Sequence, residues 1–256
     1  MASTVLHHLL VLTLVLLPLG ARSSDGPLGH YCGPASDKVQ KTQFNLTQVL
    51  DDTINRATVS GFAVNLDEPY ILAQCRGDVG SSECTKCLAD AEREILYLCQ
   101  NKPEGRIWYD YCFLRYDDNT NFIGQMDTSF FLLFANEENA TNPEEFANQT
   151  SKLMDIVMTE AGLPGSAGLG RAKFDFMPHI FIYGLGQCTE DLDTMPCSQC
   201  LKTAASLFSD NCKFRKGCQV LYSTCMARYE VYPFFFPLDS NGTDVLDHSD
   251  VKVPLP

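Results

Sequence analysis

Histidine is scarce in this 256-residue chain: only His30, His179 and His248 follow the first ten residues. No nucleophile elbow, metalloprotease helix or Cys-His signature occurs, so the common hydrolase and metalloenzyme layouts have no candidate residues. Positive charge is also short. The 19 Lys and Arg face 32 Asp and Glu, a formal net charge of −13. A surface of that sign repels phosphate backbones and anionic lipid, which argues against nucleic-acid partners. Long apolar runs are missing after the start. Residues 9–19 form one apolar stretch, too short for a comfortable membrane span, and small Ala21 and Ser23 follow it at signal-cleavage spacing. Residues 1–23 are therefore expected to be a signal peptide, and residues 239–256 a flexible acidic tail with neither a membrane anchor nor a lipid-anchor signal.

Cysteine is abundant, and it is ordered. Cys75, Cys84, Cys87, Cys99 and Cys112 recur as Cys188, Cys197, Cys200, Cys212 and Cys225, each 113 positions later (188 − 75 for the first pair). Gln74, Asp78, Leu88, Ala91, Arg115 and Tyr116 shift with them to Gln187, Asp191, Leu201, Ala204, Arg228 and Tyr229. A gapless repeat of this kind is a duplicated domain with one cysteine framework. The expected domains are residues 29–125 and 126–238. The twelve cysteines all follow the leader, and an oxidising route favours disulfides over thiols. Four sequons, at Asn45, Asn139, Asn148 and Asn241, fit export.

Periodicity supplies the elements. Apolar or cysteine positions at 84, 87, 88, 91, 95, 98 and 99 have helical spacing, with Ser81 or Ser82 as candidate caps and Glu83 suited to the positive end of the dipole. Cys197, Cys200, Leu201, Ala204, Leu207 and Phe208 repeat that stripe behind Pro196. An earlier helix is expected in each copy, over about 46–56 and from Asn142-Pro143 onward. Residues 107–116 alternate as a strand, and 219–236 repeat it; further strands are expected at 61–64, 70–74 and 180–187, with Pro69 just outside the second. The glycine-rich residues 162–170 lack the lysine of a phosphate loop and are expected to be a surface loop. The fold class is α+β: two tandem domains, each with two helices packed on an antiparallel sheet and stapled by disulfides.

The spacing Cys-x8-Cys-x2-Cys-x11-Cys-x12-Cys, with Arg76-Gly77-Asp78 after Cys75 and Cys-Phe-Leu-Arg-Tyr from Cys112, resembles the plant cysteine-rich repeat domain typified by ginkbilobin. Two copies behind a leader look like a cysteine-rich repeat secretory protein. The resemblance implies the pairings Cys32–Cys99, Cys75–Cys84 and Cys87–Cys112, then Cys188–Cys197 and Cys200–Cys225. The second copy lacks a first cysteine, which leaves Cys212; Cys218, with no counterpart in the first copy, is its expected partner. The pairs Cys84-Thr-Lys-Cys87 and Cys197-Ser-Gln-Cys200 are then structural and not redox or zinc sites. Neither a catalytic residue, a metal nor a cofactor is expected.

The resemblance further implies mannose recognition by an Asn after the first cysteine, an Arg opening a late strand and a Glu after a Tyr. Those positions hold Gly33, Arg106 and Asp117 here, and Gln219 and Glu230 hold the latter two in the second copy. On a single strand Arg106 and Asp117 would lie about 36 Å apart and face opposite ways, so a shared site demands a bend or two elements. The expected function is that of a secreted, apoplastic plant defence or stress protein that binds mannose-type carbohydrate and acts on fungi. The alternative is an extracellular module that contacts receptor-like proteins. The many aromatics, Trp108, Tyr109, Tyr111, Tyr229, Tyr232 and Phe234 to Phe236 among them, suit either a contact surface or the seam between the domains.

Overall fold

The computed structural model describes residues 26–34 and 43–236. The expected signal peptide, the acidic tail, Asn241 and His248 lie outside the described residues. In chain order the elements are β1 (Gly29–Cys32), α1 (Gln43–Ser60), β2 (Phe62–Asn65), β3 (Tyr70–Cys75), α2 (Ser81–Leu98), β4 (Glu104–Trp108) and β5 (Cys112–Asp117), then β6 (Leu132–Ala135), α3 (Pro143–Ala161), β7 (Leu169–Met177), β8 (Ile180–Cys188), α4 (Thr194–Asn211), β9 (Cys218–Leu221) and β10 (Cys225–Glu230). They form two antiparallel five-stranded sheets, ordered β1-β4-β5-β3-β2 and β6-β9-β10-β8-β7, each with two helices on one face. This is the expected α+β class, built twice.

Strand alternation assigns the faces. In the first sheet Ile71, Ala73, Ile107, Leu114 and Tyr116 join Leu50, Ile54, Leu88, Ala91 and Ile95 of the helices in one core. In the second, Ile182, Val220, Ala227 and Tyr229 meet Phe146, Leu153, Val157, Leu201 and Phe208. Tyr116 and Tyr229 repeat the same anchor. Each hydroxyl reaches two backbone carbonyls just beyond the second helix of its domain: Cys99 (3.3 Å) and Lys102 (3.2 Å) for Tyr116, Cys212 (2.9 Å) and Arg215 (3.2 Å) for Tyr229.

Six disulfides, Cys32–Cys99, Cys75–Cys84, Cys87–Cys112, Cys188–Cys197, Cys200–Cys225 and Cys212–Cys218, use all twelve cysteines. Each Cys-x-x-Cys pair therefore points to two different partners, as a packing staple does. Gly170 shows why the loop after α3 is glycine-rich: a Cβ there would sit 1.9 Å from the Val157 carbonyl oxygen, so β7 approaches α3 closer than any side chain permits. The loop itself ends earlier than expected, since Leu169 and Gly170 already belong to β7.

Three expectations change. Residues 107–116 are not one strand but the β4–β5 hairpin, turning through 109–111 with the Tyr109 N–H bonded to the Cys112 carbonyl at 2.9 Å. That turn carries two tyrosines and no glycine or proline, so composition did not mark it. As a result Trp108 pairs with Phe113 on the face away from the helices, opposite to Leu114. Residues 219–236 likewise split, into β9, β10 and a strap beyond. Finally, Ser81 and Ser82 do not cap α2; Gly80 is the cap residue and makes no side-chain bond.

The helix-free faces of the two sheets meet, and the duplication is expressed as a near two-fold contact. Gln74 donates to the Cys188 carbonyl (3.0 Å) and accepts from the Glu190 N–H (2.9 Å). Gln187, its repeat equivalent, donates to the Cys75 carbonyl (3.5 Å) and accepts from the Gly77 N–H (3.0 Å). Both glutamines are 4% exposed. Trp108 completes the seam, its indole N–H bonded to the Tyr222 carbonyl at 3.0 Å. A closed, self-complementary contact of this kind is the arrangement of a symmetric dimer written into one chain.

Candidate recognition site

The β4–β5 hairpin brings Arg106 and Asp117 onto one face. Register sets Arg106 opposite Arg115 and Glu104 opposite Asp117, all pointing away from the helices. Gly33 follows β1 and is tied to the same strand, its N–H bonded to the Glu104 carbonyl at 2.9 Å. The two elements that a shared site demands are thus present.

The first-domain cluster is consumed internally. The Arg106 guanidinium meets Glu104 Oε1 through Nε (2.7 Å) and Nη2 (2.5 Å), and Asp127 Oδ2 (2.9 Å) and Ser223 Oγ (2.6 Å) through Nη1. Arg115 reaches the same Asp127 oxygen at 3.0 Å. Arg106 and Asp117 are each 6% exposed. Asp117 Oδ1 accepts the N–H groups of Asn119 and Thr120, both at 2.9 Å, and so shapes its own loop. Burial and the neighbouring Arg106 hold the Arg115 pKa below its ordinary value. Burial pushes the Asp127 carboxyl up, but bonds from Ser129 and the two guanidiniums outweigh it, and the net shift is down. Ser223 belongs to the second domain, so the would-be sugar arginine is a seam residue.

The second domain carries a different set. The Asn136 N–H bonds the Gly217 carbonyl at 2.9 Å, reproducing the bond of Gly33 to Glu104. Asn136 therefore occupies the place of Gly33 and restores the amide that the first copy lacks, with its Oδ1 accepting the Glu138 N–H at 2.8 Å. Sequence reasoning missed it because Ala135 stands where Cys32 marks the first copy. The 113-residue offset would place the equivalent of Cys32 at 145 (32 + 113), ten positions past Ala135, so no spacing in the sequence marks this strand. Gln219 lies opposite Arg228, and Phe134 opposite Gln219, on the helix-free face. Glu230 Oε1 accepts from Arg228 Nε at 3.1 Å, while Arg228 Nη2 donates to the Tyr232 hydroxyl at 3.0 Å. Glu230 Oε2 is buried and has no hydrogen-bond partner among the described residues. Burial raises the Glu230 pKa against the pull of Arg228 and of the neighbouring Tyr232 hydroxyl, which bonds to the carboxyl. Gly217 makes room for this carboxylate, since a Cβ there would fall 1.8 Å from Oε2. Gln219 and Glu230 are 6% and 8% exposed, as deeply buried as Arg106 and Asp117, and Phe134 and Tyr232, 41% and 46% exposed, border them. Asp110, from the β4–β5 turn of the first domain, lies 3.5 Å from Arg228.

No group of metal-ligating side chains occurs among the described residues, and no helix among them is long and apolar enough to cross a membrane. The family described as salt stress response/antifungal matches twice, over residues 31–119 and 134–232. The chain belongs to that family. It is 42% identical to cysteine-rich repeat secretory protein 55 of Arabidopsis thaliana, over 82% of this chain and 81% of the relative. It is 32% identical to an antimicrobial ginkbilobin-2-like protein of Castanea crenata, over 86% and 94%. Cysteine-rich receptor-like protein kinase 10 of A. thaliana is 32% identical over 64% of this chain, which covers 24% of that protein. Among solved structures, the tandem DUF26 ectodomain of the A. thaliana cysteine-rich receptor-like protein PDLP5 has the same fold, with a TM-score of 0.67 at 23% identity, covering 81% of this chain and all of that one.

Proposed function

We propose that this protein is a non-enzymatic recognition protein of the plant apoplast that binds mannose-type carbohydrate, with antifungal action, through its second domain. The observation that carries this reading is the group Asn136, Gln219 and Glu230. It aligns with the Asn, Arg and Glu positions of the resemblance, sets a buried carboxyl beside the Tyr232 hydroxyl with Oε2 outside ordinary hydrogen-bond geometry, and is bordered by two exposed aromatic rings. Aromatic faces stack on sugar rings, and convergent acceptors and amides take the hydroxyls. The first-domain residues Gly33, Arg106 and Asp117 are assigned to the seam in this reading, because every Arg106 bond would have to break before a sugar could enter. Gln219 replaces the arginine, so affinity should be modest; one hydrogen bond lost from a buried site costs about 1–3 kcal/mol. Asn139 and Asn148 are exposed and are proposed to carry glycans, together with Asn45 and Asn241.

The test is a mannan-binding isotherm on the oxidised, glycosylated protein. Glu230→Gln and Gln219→Ala should each weaken binding about tenfold or more. Wild-type protein that ignores mannan and every neutral glycan on an array would end the carbohydrate reading. A second reading, contact with receptor-like ectodomains, is favoured by the exposed Phe131, Phe134, Tyr232 and Phe236 and by the receptor-like kinases among the relatives. Tight capture of such ectodomains in excess mannose would select it.

A further inference from the structure

Beyond β10, residues 231–236 stay on the protein. They run as a strap from the second domain to the first. At one end Tyr232 takes the Arg228 bond of the candidate site, and the Arg228 guanidinium lies 4.4 Å from the Phe234 ring centroid. At the other end Arg76 Nη2 donates to the Phe234 carbonyl at 3.1 Å, and the Phe236 N–H donates to Asp78 Oδ2 at 2.7 Å. Arg171 of β7, in the second domain, also bonds the Phe236 carbonyl, while the Phe236 ring rests against Tyr111 of the first domain at 5.7 Å. Arg76 and Asp78 are themselves paired at 2.5 Å, 4% and 7% exposed.

The repeat supports a dedicated role for that carboxylate. Asp191, the equivalent of Asp78, accepts the Gly124 N–H at 2.6 Å, in the segment that follows β5. Each domain thus uses the same aspartate to hold the segment that leaves the last strand of the other. In the first copy that segment is the covalent link between domains. In the second it has no such tether within the described chain, and the clasp is reinforced: Arg76 stands where the second copy has Thr189.

We propose that the Arg76–Asp78 pair of the first domain is a clasp that holds the strap and thereby positions Tyr232 at the second-domain site. Recognition in one domain then depends on the other, a reason for the tandem beyond stability. Arg76 and Asp78 are positioning residues, and they touch no ligand. The inference rests on the second-domain reading for its binding consequence, but the clasp can be judged without it.

The experiment measures amide exchange of Phe236, and mannan affinity, in full-length wild type, Asp78→Asn, Tyr232→Ala and the double variant. Asp78→Asn should speed Phe236 exchange about tenfold or more, with β5 and β10 amides unchanged, and should weaken mannan binding about fivefold. Tyr232→Ala should weaken binding while leaving Phe236 protected. The double variant should bind no worse than Tyr232→Ala alone, since both changes act through one ring. Unchanged exchange in Asp78→Asn, or additive binding losses, overturns the clasp. If wild type binds no mannan, the carbohydrate reading fails and the exchange data alone decide the clasp. If Asp78→Asn does not fold, Arg76→Lys, which keeps the charge but loses the bidentate fork, should give the same selective loss of Phe236 protection, and its absence overturns the proposal.

Discussion

Replacing Gln74 by alanine is the sharpest test of the two-fold seam. Its amide is buried and makes two bonds across the domain contact, to the Cys188 carbonyl at 3.0 Å and from the Glu190 N–H at 2.9 Å. Truncation leaves both backbone groups unpaired. Each buried unmet group costs about 1–1.5 kcal/mol at the lower end of the measured range, so the loss should be about 2–3 kcal/mol. Gln187→Ala removes one comparable bond, from Gly77 at 3.0 Å, and one long one, to Cys75 at 3.5 Å. Its loss should be smaller, about 1–2 kcal/mol. The assay is urea unfolding of the oxidised protein, followed by far-ultraviolet circular dichroism and Trp108 fluorescence. Trp108 lies in the seam, so the two probes should coincide in wild type. A melting temperature lower by roughly 5–10 °C should accompany Gln74→Ala. If Gln74→Ala changes stability by less than about 0.5 kcal/mol, or Gln187→Ala proves the costlier, the seam is not held as described.

Two further outcomes are expected. Removing Cys32–Cys99, which closes 67 residues, should cost about 4 kcal/mol in the chain-entropy description, and removing Cys212–Cys218, which closes six, about 2 kcal/mol; paired serine variants compared by denaturant titration check the order. Burial, then the nearby Asp51 carboxylate, lift the Glu92 pKa from 4.5 to about 7. Between those values the native state binds more protons at Glu92 than the unfolded state, so the stability this group contributes is full below about pH 4.5 and is lost as pH rises through 7. Solvent screening at this half-buried site limits the loss to about 1–2 kcal/mol, and Glu92→Gln should flatten the profile; an unchanged slope would dismiss the Asp51–Glu92 pair as its source.

What the sequence determined by itself follows from local and covalent constraints. The interval shared by five cysteines established the duplication, the helical stripes at 84–99 and 197–208 located α2 and α4, and Asn142-Pro143 opened α3 where it stands. Periodicity and capping act over a few residues, so they are legible without a fold. The β4–β5 turn was not, because Tyr109, Asp110 and Tyr111 are ordinary residues whose reversal is enforced by pairing with strands far along the chain. Only tertiary structure decided the fate of Arg106, drawn to Ser223 and Asp127 across the seam, and the promotion of Asn136, which no cysteine announces. A side chain's chemistry is written in its own position, but whether its donors face solvent or another domain depends on which surfaces the completed sheets bury against each other.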